Sequence, residues 1–103
     1  MSVQVTEEHD LAAGGDITLT AGESTTDTGG GIWVTAGLGT ATSSGAIAIR
    51  TANAGTNGVS GVLSFSSGTA SSGSSGAIVV GTGSALTGKG GDISLSVGSG
   101  NLA

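Results

Sequence analysis

The sequence contains no cysteine, no proline and no tyrosine, and only one methionine, one tryptophan and one phenylalanine in 103 residues. Without cysteine there is no disulfide and no thiolate metal site. Without proline, the usual stiffener of an extended linker is missing. Charge is scarce too. Arg50 and Lys89 are the only basic residues besides one histidine, and they face seven acidic ones, for a formal net charge of −5. Nucleic acid calls for clustered Lys and Arg, so it is excluded as a partner. No apolar run approaches the length of a transmembrane helix, so membrane insertion is not expected. The opening ten residues, from Met1 to Asp10, carry neither a basic n-region nor an apolar h-region, so no signal peptide is expected.

Four small residue types dominate: 22 Gly, 16 Ser, 14 Thr and 13 Ala. Leu, Ile, Val and Phe together number 22, close to the level at which composition alone points to disorder. High charge, the other half of the disorder pattern, is absent. A Gly/Ser linker would scatter its apolar residues at random. Here they recur. Ile17, Ile32, Ile47, Leu63, Ile78 and Ile93 are spaced by 15, 15, 16, 15 and 15. Two residues after each stands a second apolar residue: Leu19, Val34, Ile49, Phe65, Val80 and Leu95. A fixed period this short is the pattern of stacked repeats, each too small to bury its own apolar face.

Within one repeat the apolar residues alternate, as in Gly15-Asp16-Ile17-Thr18-Leu19 and Gly76-Ala77-Ile78-Val79-Val80. Period two predicts a strand with one face turned inward. A third inward position is filled by Ala21, Ala36, Thr51, Ser67, Thr82 and Val97, and a glycine then recurs at Gly22, Gly37, Gly68, Gly83 and Gly98, with Ala52 as the exception. Glycine there is expected to supply a turn that a β-carbon would resist. A further inward column of small residues follows: Ser24, Gly39, Ala54, Ala70, Ala85 and Gly100. Two positions on come Thr26, Ala41, Thr56, Ser72 and Thr87. The Gly/Ser-rich remainder absorbs the single extra residue of the third repeat, as loops do.

This reading predicts an all-β chain, a single-stranded parallel β-solenoid with 15–16 residues per rung and about six full rungs. A partial rung at the N-terminus would begin with Val3 and Val5. At about 4.8 Å per rung the rod would be roughly 30 Å long. Each inward Ile or Leu would contribute about 1.5–3 kcal/mol, opposed by the backbone entropy of the glycines. Residues 1–14, with Glu7, Glu8, His9 and Asp10, are expected to form an acidic cap against edge-to-edge stacking, and residues 15–103 the repeats. The uncapped far end, Asn101-Leu102-Ala103, is expected to mark either a piece of a longer array or a protomer that stacks end to end.

Candidate chemistry is thin. Gly83-Ser-Ala-Leu-Thr-Gly88-Lys89-Gly90 approaches a phosphate-binding loop, but Gly90 stands where Ser or Thr must hold magnesium. Asp16 and Asp92 follow glycine pairs as in calcium-binding nonapeptide repeats. The intervening Gly31, Ala46, Val62 and Ala77 leave neighbouring repeats without paired carboxylates. His9 among three acids is read as a solvated cap rather than a metal site. One histidine and no cysteine give no nucleophile–base set, so no enzyme, cofactor or metal is expected. Trp33 faces outward and offers a ring to a sugar or a partner, unless Arg50 in the next repeat covers it by a cation–π contact. Ice binding requires flat ranks of threonine. Of the outward pairs only Thr18/Thr20 fits, and Trp33 and Arg50 interrupt the row. The Thr26, Ala41, Thr56, Ser72 and Thr87 column is more regular, reads as inward, and would turn outward with a register shift of one residue.

Two segments, Ala13-Gly14-Gly15-Asp16-Ile17-Thr18-Leu19-Thr20-Ala21-Gly22 and Gly90-Gly91-Asp92-Ile93-Ser94-Leu95-Ser96-Val97-Gly98, resemble the repeats of filamentous-haemagglutinin-type and autotransporter adhesins. They also resemble Gly/Ser/Thr-rich tandem arrays of algal and oomycete proteins. The period here is shorter and more regular than in the haemagglutinins, and Asn-rich turns are lacking. The resemblance implies a right-handed β-helical stalk, exported, extracellular or at the cell surface, and serving adhesion. It transfers no functional residue. The expected function is therefore structural: a stalk, scaffold or self-stacking fibre unit whose main partner is itself, with an ice or glycan surface as the alternative.

Overall fold

Five times along the chain the backbone runs out, bends and returns to its own starting point within nine or ten residues. The computed structural model describes residues 14–102, which divide into one unit ending at Ile49 and another beginning at Arg50. In the first unit, the Gly30 amide donates to the Gly22 carbonyl and the Gly45 amide to the Gly37 carbonyl, each at 2.9 Å. The loops so closed have bends at Thr25–Asp27 and Thr40–Thr42. In the second unit the same approach recurs without a backbone hydrogen bond. A β-carbon on Gly61 would lie 3.6 Å from Thr51 Cγ2, one on Gly76 3.7 Å from Ser67 Cβ, and one on Gly91 3.6 Å from Thr82 Cγ2. Their bends fall at Thr56–Asn57, Ser71–Gly73 and Leu86–Gly88.

The closing pairs are thus Ala21 with Gly30, Ala36 with Gly45, Thr51 with Gly61, Ser67 with Gly76 and Thr82 with Gly91. Four of the five span nine positions, and only Thr51–Gly61 spans ten. The extra residue of the third repeat therefore lies inside its loop.

The β-solenoid expected from the period does not form. Among the described residues there is no strand and no helix, hence no sheet and no β-helix. A solenoid needs each residue to pair with the one fifteen positions on. The approaches made here instead join the end of one repeat's alternating segment to the glycine that opens the next, only nine or ten positions on. The ladder side chains pay the cost of that choice in exposure, for none of the described residues is buried. Ile17, Ile32, Ile47, Leu63, Ile78 and Ile93 are 49–67% exposed. The second ladder, Leu19, Val34, Ile49, Phe65, Val80 and Leu95, is more open still. A weak difference between sides remains in the first five repeats. Trp33, Leu38, Val59, Val62, Val79 and Leu86, off the ladders, reach 83–105%, whereas in the last repeat Leu95 and Val97, both expected inward, are each 99% exposed. The backbone is extended enough to send neighbours to opposite sides, so the first ladder is the more sheltered side of each repeat. Two large apolar residues per repeat give too little area to offset the ordering of a glycine-rich backbone, so each repeat stays open within a single chain.

The small inward columns change role with the fold. Ser24 was expected to point inward; it is exposed, and its hydroxyl accepts from the amides of Thr26 at 3.4 Å and Asp27 at 3.0 Å. The Asp27 carboxylate accepts from the Thr28 amide at 2.7 Å. These are the short-range side-chain bonds by which Ser and Asp hold loops. In the second loop a β-carbon on Gly39 would run into the Ser43 carbonyl, so this tight bend admits glycine alone. Gly73, at φ 104°, is the only described residue in the left-handed region. The acidic segment expected as a cap, including Val3, Val5 and His9, lies outside the described residues.

A solvated backbone hydrogen bond is worth about 1 kcal/mol, so the Gly30 and Gly45 amides should exchange with solvent roughly fivefold more slowly than those of Gly61, Gly76 and Gly91. Hydrogen exchange read residue by residue by NMR tests this. Equal rates at all five would show that the two closures do not persist in solution.

Candidate functional site

Two places depart from the repeat pattern, and each is described within its own unit. The first is Trp33, in the unit ending at Ile49. A β-carbon on Gly31 would fall 2.5 Å from Trp33 Cη2 and 2.8 Å from Cζ3. The benzo edge of the indole therefore takes the space a side chain at position 31 would need, and 85% of the residue is exposed. In an extended chain residues two apart share a side, which is why the ring reaches Gly31. The positions equivalent to Gly31 hold Asp16, Ala46, Val62, Ala77 and Asp92. Glycine occurs there in the one repeat that has the tryptophan. The sequence pattern contained that coincidence as Gly31-Ile32-Trp33, but composition and period gave no reason to single it out. An exposed indole is a flat apolar platform with its quadrupole available, suited to stacking on a sugar face or another ring.

The second is the start of the third loop. Arg50, Thr51, Ala52 and Asn53 line an open hollow of about 330 Å³. Arg50 stands where other repeats have Thr20, Thr35, Ser66, Gly81 and Ser96, and Ala52 where the others have glycine. The loop that follows is the one with the additional residue. The hollow offers a guanidinium, a hydroxyl and a carboxamide, which are donors suited to an oxyanion, and no base to activate a nucleophile. Trp33 and Arg50 fall in different units.

The remaining sequence-based candidates are distributed along the repeats. None of the glycines Gly22, Gly37, Gly68, Gly83 and Gly98 has a positive φ, and a β-carbon on any of them would meet nothing within 4 Å. Gly22 and Gly37 act through their carbonyls, as acceptors of the loop-closing bonds. Asp16 and Asp92 are exposed, and among the described residues His, Cys, Asp and Glu form no group of three or more that could hold a metal ion. Lys89 lies in the fifth loop, followed by an extended segment rather than the helix a phosphate-binding loop requires. Comparison with protein-family models, characterised proteins and solved structures finds no match.

Replacing Gly31 with valine should lift the indole off the backbone. Acrylamide quenching of Trp33 fluorescence should then increase, with a red-shifted emission maximum. Quenching unchanged from the parent chain would mean that the ring does not rest on Gly31.

Proposed function

We propose that this chain is a non-enzymatic structural unit of a stalk, scaffold or fibre, and that further copies of the same sequence cover its apolar ladders. The single observation behind this reading is that twelve ladder residues, two per repeat, stand exposed at a fixed interval. A covering surface must present apolar groups at the same interval. Another copy of the chain does so at every repeat. Burying one Ile or Leu that is now open stabilises an assembly by about 1.5–3 kcal/mol. The resemblance to adhesin repeats is the ground for a surface or adhesive setting.

A second reading, glycan binding, is favoured by the open indole face of Trp33. Ice binding has less support, because Trp33 and Arg50 break the outward row of hydroxyls.

Self-association should appear as light scattering that grows with concentration and as filaments or clusters by electron microscopy. Ile47→Ser and Leu63→Ser should each raise the concentration required by roughly tenfold or more, the equivalent of about 1.4 kcal/mol. Monomeric behaviour at every concentration, with and without residues 1–14, would overturn the self-association reading. For the glycan reading, a glycan array should give signals that vanish in Trp33→Ala, and a blank array would remove it.

A further inference from the structure

The chain has three asparagines, and only one of them precedes glycine: Asn53-Ala54, Asn57-Gly58 and Asn101-Leu102. Asn57 sits in the turn at Thr56–Asn57, at the apex of the one loop with an extra residue, and both Asn57 and Gly58 are exposed. A β-carbon on Gly58 would meet nothing within 4 Å, so no other part of the described chain crowds its α-carbon. Asn-Gly in a hairpin normally settles into a left-handed turn that fixes both residues. Here neither residue has a positive φ, so that restraint is absent.

We infer that Asn57 is a site of spontaneous modification, converting to a mixture of aspartate and isoaspartate. The Gly58 backbone nitrogen, once its proton is lost to solvent base, attacks the Asn57 side-chain carbonyl carbon four atoms away. A C–N bond forms, the carboxamide C–N bond breaks, and ammonia leaves with a proton from water. The product is a five-membered succinimide. Water then adds to one of its two carbonyls. Opening on one side restores the normal backbone as aspartate. Opening on the other routes the main chain through the former side-chain carbon. The sum is asparagine plus water giving aspartyl product plus ammonia, with no oxidant or reductant. The ring closes fast because nucleophile and electrophile are already joined, and glycine adds no side chain to hinder the approach. At Asn53 and Asn101 the β-carbons of Ala54 and Leu102 crowd the attacking nitrogen. Asparagine is among the thermolabile residues for this kind of reason.

The consequence is a charge that appears with age. The net charge of −5 becomes one unit more negative. The new carboxylate, or the lengthened backbone of isoaspartate, arises in the loop that also begins with Arg50.

The full chain, incubated at neutral pH and in mild acid and then digested for mass spectrometry, tests the inference. The mass change of amide-to-acid exchange should appear in the peptide holding Asn57 at least about tenfold faster than at Asn53 or Asn101, a barrier difference of about 1.4 kcal/mol. The rate should rise with pH, because the attacking amide must be deprotonated, and product formed in heavy-oxygen water should hold the label. Gly58→Ala should slow the reaction toward the rate at Asn53, and Asn57→Gln should abolish it there. Retention of the Asn57 amide for as long as those of Asn53 and Asn101, or a rate unaffected by Gly58→Ala, would overturn the inference.

Discussion

The hydrogen bond from the Gly30 amide to the Gly22 carbonyl, repeated from Gly45 to Gly37, sets the character of the molecule. It joins the end of one repeat's alternating segment to the glycine that opens the next. Every donor spent on this local closure is unavailable for a neighbour fifteen positions away. The same approach recurs at Gly61, Gly76 and Gly91 without a backbone hydrogen bond. Each unit is built of short loops between segments that form neither strand nor helix. Its large side chains project from those segments with only a small-residue loop beside them. The partial shelter of Ile47 and Leu63, and the openness of Val62 and Val79, both follow.

Part of the local organisation was legible in the residues. Alternation along Ile78-Val79-Val80 predicted a strand with a buried face, and neither forms there: Ile78 is 61% and Val80 75% exposed, against 88% for Val79. The spacing of 16 between Ile47 and Leu63 located an insertion, and the loop from Thr51 to Gly61 contains it. Stacking of the repeats was not legible. A fifteen-residue period states that equivalent residues have equivalent surroundings. It does not state that they touch. Ile17 and Ile32 satisfy the period equally well lying one above the other or in separate loops. The deciding quantity is apolar area per repeat against backbone ordering, and two large residues set among glycine, serine and alanine fall short within one chain. Ser24 teaches the same lesson on a smaller scale. Its place in a column suggested an inward hydroxyl, whereas the nearest unsatisfied amides, those of Thr26 and Asp27, lie in its own loop.

The two candidate sites differ in how visible they were. Trp33 and Arg50 stood out by rarity alone. The support beneath Trp33 did not, because it consists of the absence of a side chain at Gly31. The hollow at Arg50–Asn53 arises where three departures from the consensus coincide: an arginine, an alanine in place of glycine, and a longer loop. In a repetitive chain such breaks in regularity are the places where chemistry can differ from one repeat to the next. A structural role is the reading that uses what is common to all the repeats rather than what distinguishes one of them.

The third loop holds its additional residue between Thr51 and Gly61, among small residues and away from the ladder positions. At the level of the gene, a tandem block of this kind can gain or lose whole units through slipped pairing of its copies, and small in-frame insertions are tolerated wherever they fall at a loop apex. The length of the product then becomes a quantity that recombination can tune without any new folding problem to solve.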